Sequence, residues 1–178
     1  LREGKVPEGV PDTVDVDHAT KDTPSTVPSG CHVAEVEIDP DTGVMRIVRY
    51  TGISDFGTIV NPMIVEGQLH GGVAQGIGQA LMEEISYDES GQPITGSFMD
   101  YALPRAGDIP PMVTGDHPSP AKSNPLGTKG CGEAGCAGSL VVIVNAALDA
   151  LSEYGVTQID MPLTPERVWR AIQDAKQK

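Results

Sequence analysis

Glu133 stands in the stretch GTKGCGEAGCAG, residues Gly127 to Gly138, bracketed by Gly130, Gly132 and Gly135. Three glycines strip side-chain bulk from around one carboxylate, which frees it to reach into a cavity that other groups also approach. A helix starting just after it would favour the ionised form, and burial would favour the protonated one, a balance that can set a general base near neutrality. The competing reading is an acid that only stabilises a first helical turn, worth about 0.3–1 kcal/mol. The same glycines spell GxGxxG, the fingerprint of a dinucleotide-binding turn. That turn needs a hydrophobic strand running into the first glycine, yet AKSNPLGTK is polar and broken by Pro125. Glu133 would also repel a pyrophosphate at the helix start. Lys129 is followed by Gly130, not by Ser or Thr, so a Walker A loop is absent too.

A second group of residues could bind. In NPMIVEGQLHGGVAQGIGQALMEE, Gln68, Gly72, Gln75 and Gln79 fall at spacings of four, three and four, which sets amides and a gap along one helical stripe. Such amides offer donors and acceptors to a heterocycle or a phosphate. Gly67, Gly71, Gly72, Gly76 and Gly78 each cost about 0.8–1 kcal/mol against Ala in a helix interior, so a close approach by another backbone or by a flat ligand must offset them. Tight packing with exposed glutamines is the plainer alternative. His70 lacks partner residues at metal-ligand spacing, and His18, His32 and His117 are isolated in loops or at a strand start. No metal-ligating set is expected.

The elements that must position these residues read as α+β. In HVAEVEI, Ala34, Val36 and Ile38 alternate with Glu35 and Glu37; DPDTG turns the chain and VMRIVRYTGI returns it, a hairpin. Asn61 caps the glycine-rich helix, with Pro62 at its first position. ISYDESGQPIT reads as a second hairpin turning at Ser90 and Gly91. Residues 101–124 form a proline-rich loop with one short strand at MVTG. A second helix from about Ala134 to Tyr154 is apolar nearly all round at LVVIVNAAL, which predicts deep burial. A short strand TQIDM follows. Thr164 then caps a last helix that Val168, Trp169 and Ile172 anchor to the core.

Composition narrows the classes. The 178 residues suffice for about one domain. A net charge of −13 with only 12 Lys and Arg argues against nucleic acid as a partner. Cys31, Cys131 and Cys136 form no CxxC pair, which fits a reducing cytoplasm, and no signal-peptide pattern or membrane-spanning apolar run is expected. Residues 1–30, rich in Pro, Thr and Asp, read as an extended arm or linker ahead of an ordered unit over 31–178. The chain opens on Leu1 without an initiator Met, as a piece or subunit of something larger would.

GQLHGGVAQGIGQALMEE and NPLGTKGCGEAG, with SGSFMDYALPRAGDIP between them, together resemble the C-terminal part of the molybdopterin-binding large subunit of the xanthine oxidase family of molybdenum hydroxylases. That family includes xanthine dehydrogenases, aldehyde oxidoreductases and aerobic carbon monoxide dehydrogenases. The resemblance covers residues from about Cys31 to the end. It implies that hairpins packed with a glycine-rich helix and a buried apolar helix form part of a larger molybdopterin-binding domain. It also implies that Glu133 is the catalytic base, which activates a molybdenum-bound hydroxyl. Gln68 and, close by, Gln75 and Gly72 would contact the cofactor, while Thr128, Lys129, Gly130 and Gly132 would line the same cavity by backbone contact. Implied further are the cytosine dinucleotide form of the cofactor, an aldehyde, N-heterocycle or similar small substrate, and oxygen derived from water. Iron–sulfur clusters and FAD would sit on partner subunits or domains, and the remainder of the large subunit would complete the site. This chain alone would be inactive. Two other readings stay open: a nucleotide-binding module built on Gly130 to Gly135, and a non-catalytic assembly subunit of an oxidoreductase complex.

Overall fold

The computed structural model describes Gly9, residues 17–19 and residues 24–177. The arm expected over residues 1–30 lies largely outside the described residues; residues 24–28 carry no regular structure, and Ser29 and Gly30 already belong to the first strand.

Strand β1 (Ser29–Ile38) and strand β2 (Met45–Asp55) form the expected hairpin, antiparallel with a bulge between Glu35 and Val36. Gly43 closes its turn at φ 73°, where Asp39 and Val44 exchange a backbone bond. Strand β3 (Met112–Asp116), the MVTG segment, lies parallel to β2 and pairs Tyr50 with Met112. The order β1-β2-β3 puts β2 in the centre. On its inner face Tyr50, Gly52 and Ser54 are buried, as the period of two requires.

Helix α1 (Pro62–Leu81) starts where the sequence places it: the Asn61 side chain accepts from the Ile64 amide, and Pro62 opens the first turn. Helix α2 (Ala134–Leu151) packs across it, and a 3₁₀ turn (Ser152–Tyr154) extends it. Their crossing accounts for two of the α1 glycines. A Cβ on Gly72 would stand 2.8 Å from the Cys136 amide nitrogen, one on Gly76 would run into the Ser139 side chain, and one on Gly135 would stand 2.8 Å from the Val73 nitrogen. Main chain therefore lies on main chain, and dispersion contact along the crossing offsets the helix-propensity cost. Gly78 is similarly filled by Glu83 and Pro104. At Gly67 and Gly71 a Cβ would meet nothing within 4 Å.

Helix α3 (Pro165–Lys176) begins at its Thr164 cap. One cluster of the core joins Tyr50, Phe56, Leu69, Val73, Ile77 and Ile143; a second joins Ala147, Leu151, Leu163, Val168 and Ile172.

Several expectations need correction. Burial of α2 is confined to Gly135, Ser139, Ile143, Ala147 and Leu151, because α1 and the sheet cover one side and leave Val141 half exposed. With its 3₁₀ extension the helix has 21 residues at mean hydropathy 1.7, long and apolar enough to cross a bilayer, contrary to the expectation that no segment is. Its glycine-mediated crossing with α1 makes it a core helix instead. TQIDM forms no strand: no ladder edge lies beside it, and the second cluster takes up Ile159 and Leu163. The second hairpin shrinks to one bridge, Tyr87 to Pro93. There the Asp88 carboxylate takes the Ser90 and Gln92 amides, and Pro93 has no N–H to extend a ladder. Trp169 is 41% exposed beside the Gly43 turn, and Val168 and Ile172, with Ala171 and Ala175 packed beside them, anchor α3.

Candidate functional site

The turn that presents Glu133 is held from behind. Asp55, at the end of β2, pairs with Lys129 at 2.6 Å, with both side chains mostly buried, and its other oxygen accepts the Gly57 and Ser119 amides at 2.9 Å. Lys129 first, then these two amides, keep the Asp55 carboxyl well below the usual carboxylate range. Gly57 and Gly127, both in the left-handed region at φ 61° and 71°, let the chain double back so that Thr58 donates to Gly127 and Lys129 donates to Phe56. Asn124 clamps Thr128 through two bonds, accepting from its amide and donating to its carbonyl.

These bonds decide the fate of four expected residues. The Thr128 and Lys129 amides are spent inside the fold, the Lys129 ammonium is spent on Asp55, and neither residue lines the cleft described below. Beyond them Gly130 and Gly132 are exposed, with nothing within 4 Å of an added Cβ. Glu133 is the N-cap position of α2 but makes no side-chain capping bond, and it is exposed. Its carboxylate therefore holds no first-turn amide by a hydrogen bond.

Glu133, Gly130 and Gly132 share one cleft of about 790 Å³, which runs between the sheet and α2. Ala137, Gly138, Val141 and Asn145 form its helix side, and Gly30, His32 and Ser54 form its sheet side. His32 Nδ1 and the Tyr50 hydroxyl are hydrogen-bonded at 2.6 Å, with the rings edge to face at 5.6 Å. Burial lowers the His32 pKa and raises that of Tyr50, so the imidazole is neutral and the phenol keeps its proton. Gly138 makes room for the ring, since a Cβ there would stand 2.7 Å from His32 Cε1. Ser54 is 2% exposed and its hydroxyl has no partner among the described residues. Sequence reasoning set His32 aside as isolated and passed over Ser54. The alternation of Tyr50, Gly52 and Ser54 along β2 was the available signal for the serine.

Gln68 and Gln75 are exposed on α1 and do not line this cleft. Gln68 lies one turn before Gly72, the residue that touches the start of α2, so it flanks the helix crossing from which Glu133 emerges. Gly72 itself is buried in that crossing, and the space left by its missing side chain is filled by Gly135 and Cys136, not left for a ligand. Among the described residues no group of three or more His, Cys, Asp and Glu could hold a metal ion. The residues ahead of Gly130 form a loop with a single bridge, Gly57 to Thr128, so the strand that a dinucleotide-binding turn needs is missing.

Comparison with known proteins adds the following. The molybdopterin cofactor-binding domain family matches residues 7–110. The chain is 44% identical over 149 residues to the 6-hydroxypseudooxynicotine dehydrogenase complex subunit gamma of Paenarthrobacter nicotinovorans, covering 82% of this chain and 18% of that one. Among solved structures, carbon monoxide dehydrogenase from Oligotropha carboxidovorans superimposes with a TM-score of 0.81 at 37% identity, over 84% of this chain and 19% of that one. Quinoline 2-oxidoreductase from Pseudomonas putida 86 gives 0.77 at 43% identity, over 80% and 18%. The chain therefore spans about a fifth of the length of the relatives it matches.

Proposed function

The chain belongs to the molybdopterin cofactor-binding domain family, and from that premise we propose that it is part of the catalytic subunit of a molybdenum hydroxylase, with Glu133 as its general base. The observation that carries this reading is the Glu133 carboxylate, held on a braced turn at the edge of a cleft with no capping bond of its own.

The residues present fit the cofactor. Gly67 and Gly71 beside the exposed amides of Gln68 and Gln75, and Gly130 and Gly132 beside Glu133, are places where a Cβ would meet nothing, so a flat group can lie against bare backbone. When bound, the cofactor supplies the two-electron redox centre.

The chain's own residues do the rest. Gln68 and Gln75 hold the cofactor by amide hydrogen bonds, and Gly130 and Gly132 let it approach the turn. Glu133 accepts a proton on its carboxylate as the water-derived oxygen becomes a nucleophile, a role of the general-base kind. The apolar side of α2 at Ala137 and Val141 gives a ring a dry surface. An N-heteroaromatic compound is the proposed substrate, since the relatives with 44% and 43% identity are named for a nicotine-derived compound and for quinoline. The remainder of the large subunit, and iron–sulfur and FAD-bearing partners that carry electrons away, complete the proposed assembly, with the cofactor in its cytosine dinucleotide form.

Metal and pterin analysis of the purified complex that contains this chain tests the reading. Molybdenum with a stoichiometric organic pterin is the expected result; a complex that oxidises its substrate without either would overturn it.

A further inference from the structure

The cleft beside Glu133 has a second polar wall that the proposed reaction does not use. Ser54 faces inward on β2, is 2% exposed, and its hydroxyl finds no partner among the described residues. A buried hydroxyl in that condition is costly, so its retention calls for a partner from outside. Gly30 lies opposite it on β1, where a Cβ would stand 3.3 Å from Ser54 Oγ. His32 lines the same wall. His32 Nδ1 and the Tyr50 hydroxyl are hydrogen-bonded at 2.6 Å, and Ser54 and His32 belong to one wall.

Charge and shape specify what they would meet. Among the described residues neither Lys nor Arg lines the cleft, the nearby Lys129 is neutralised by Asp55, and Glu133 stands at its edge. A phosphate or carboxylate would face an acid without a compensating cation. The helix side, Ala137, Gly138 and Val141, is small and apolar and suits a flat ring. We propose that Ser54, with His32 beside it, hydrogen-bonds an in-plane acceptor, a ring nitrogen or a carbonyl, of a neutral heterocycle seated in this cleft. The proposal rests on the reading of the cleft as part of a molybdenum site. Either the substrate ring or the pterin ring has this chemistry.

Ser54→Ala in the assembled, cofactor-loaded complex separates the sources. Dissociation constants are measured for quinoline, which has a ring nitrogen, and for naphthalene, which has the same shape without it, and pterin and molybdenum are assayed after gel filtration. If the substrate ring is the ligand, the variant keeps its cofactor, binds quinoline about tenfold more weakly, and binds naphthalene as before. If the pterin is the ligand, pterin and molybdenum content fall. Unchanged quinoline binding together with full cofactor content overturns the proposal. Thermal unfolding of this chain guards against a merely structural effect: a hydroxyl without an internal partner can be removed with no loss of Tm, and a clear drop in Tm would show that it is bonded within the fold and would also overturn the proposal. Wild-type complex devoid of molybdenum would defeat the reading of the site; molybdenum-loaded wild type with an indifferent Ser54→Ala defeats this proposal alone.

Discussion

Asp55 and Lys129 show how much of the site rests on groups that perform no chemistry. One carboxylate joins the end of β2, the Ser119 loop and the Glu133 turn, at a sequence separation of 74 residues from Lys129. No local pattern announces such a pair, which is why Lys129 read as a cavity-lining residue and Asp55 went unremarked. Because the folded-state pKa of Asp55 is depressed, its contribution to stability is complete above the unfolded value of about 3.9 and is lost as the pH falls from there toward the folded value. Asp55→Asn, measured by urea unfolding, is therefore expected to be less stable than wild type at pH 7, with the gap narrowing as the pH drops below about 4. A gap that stays constant over that interval would show that the charge on Asp55 is not what Lys129 holds.

At the scale of elements, α1 carries glycines of two kinds. Gly72 and Gly76 touch the main chain or side chains of α2, whereas Gly67 and Gly71 face open space. Alanine at either of the first pair forces the helices apart, and overpacking of this sort costs about 1–3 kcal/mol, more than the propensity gained. Alanine at Gly67 or Gly71 meets nothing and raises the stability of this chain by about 0.5–1 kcal/mol. Urea unfolding of the four variants checks the sorting, and equal signs across both pairs would refute it. The start of α1 was legible because Asn61 and Pro62 mark it locally, and so was the hairpin, whose alternation is local too. The half-exposed state of α2 was not, because an apolar surface alone does not say whether neighbouring chain or a cleft lies against it. TQIDM had the composition of a strand but no edge to join, and strand formation depends on that partner.

For the whole molecule, the chain matches a relative about five times its length over 18% of that relative, so the proposed site takes only one wall from this chain. The glycine setting of Glu133 and the stripe of Gln68 and Gln75 are local and put those residues forward as candidates; the wall formed by Ser54 and His32 needed the sheet to bring residues 32 and 54 beside the start of α2. Phe98 and Met99 stand 88% and 96% exposed on a turn that the Tyr101 bond to Glu83 anchors at 2.6 Å. A cofactor buried by most of its surface needs more than this chain offers. The isolated chain is accordingly expected to lose molybdenum and pterin on gel filtration, whereas the full complex keeps them; stoichiometric retention by the chain alone would contradict that. The central claim is tested most directly in the complex itself, by Glu133→Gln and the rate at which the N-heteroaromatic compound oxidised by wild type reduces the enzyme. The variant keeps size and hydrogen-bonding capacity but cannot take a proton, so molybdenum and pterin content should be unchanged while the reduction rate falls by about 10²-fold or more. A variant that carries its full cofactor and is reduced at close to the wild-type rate would contradict the account.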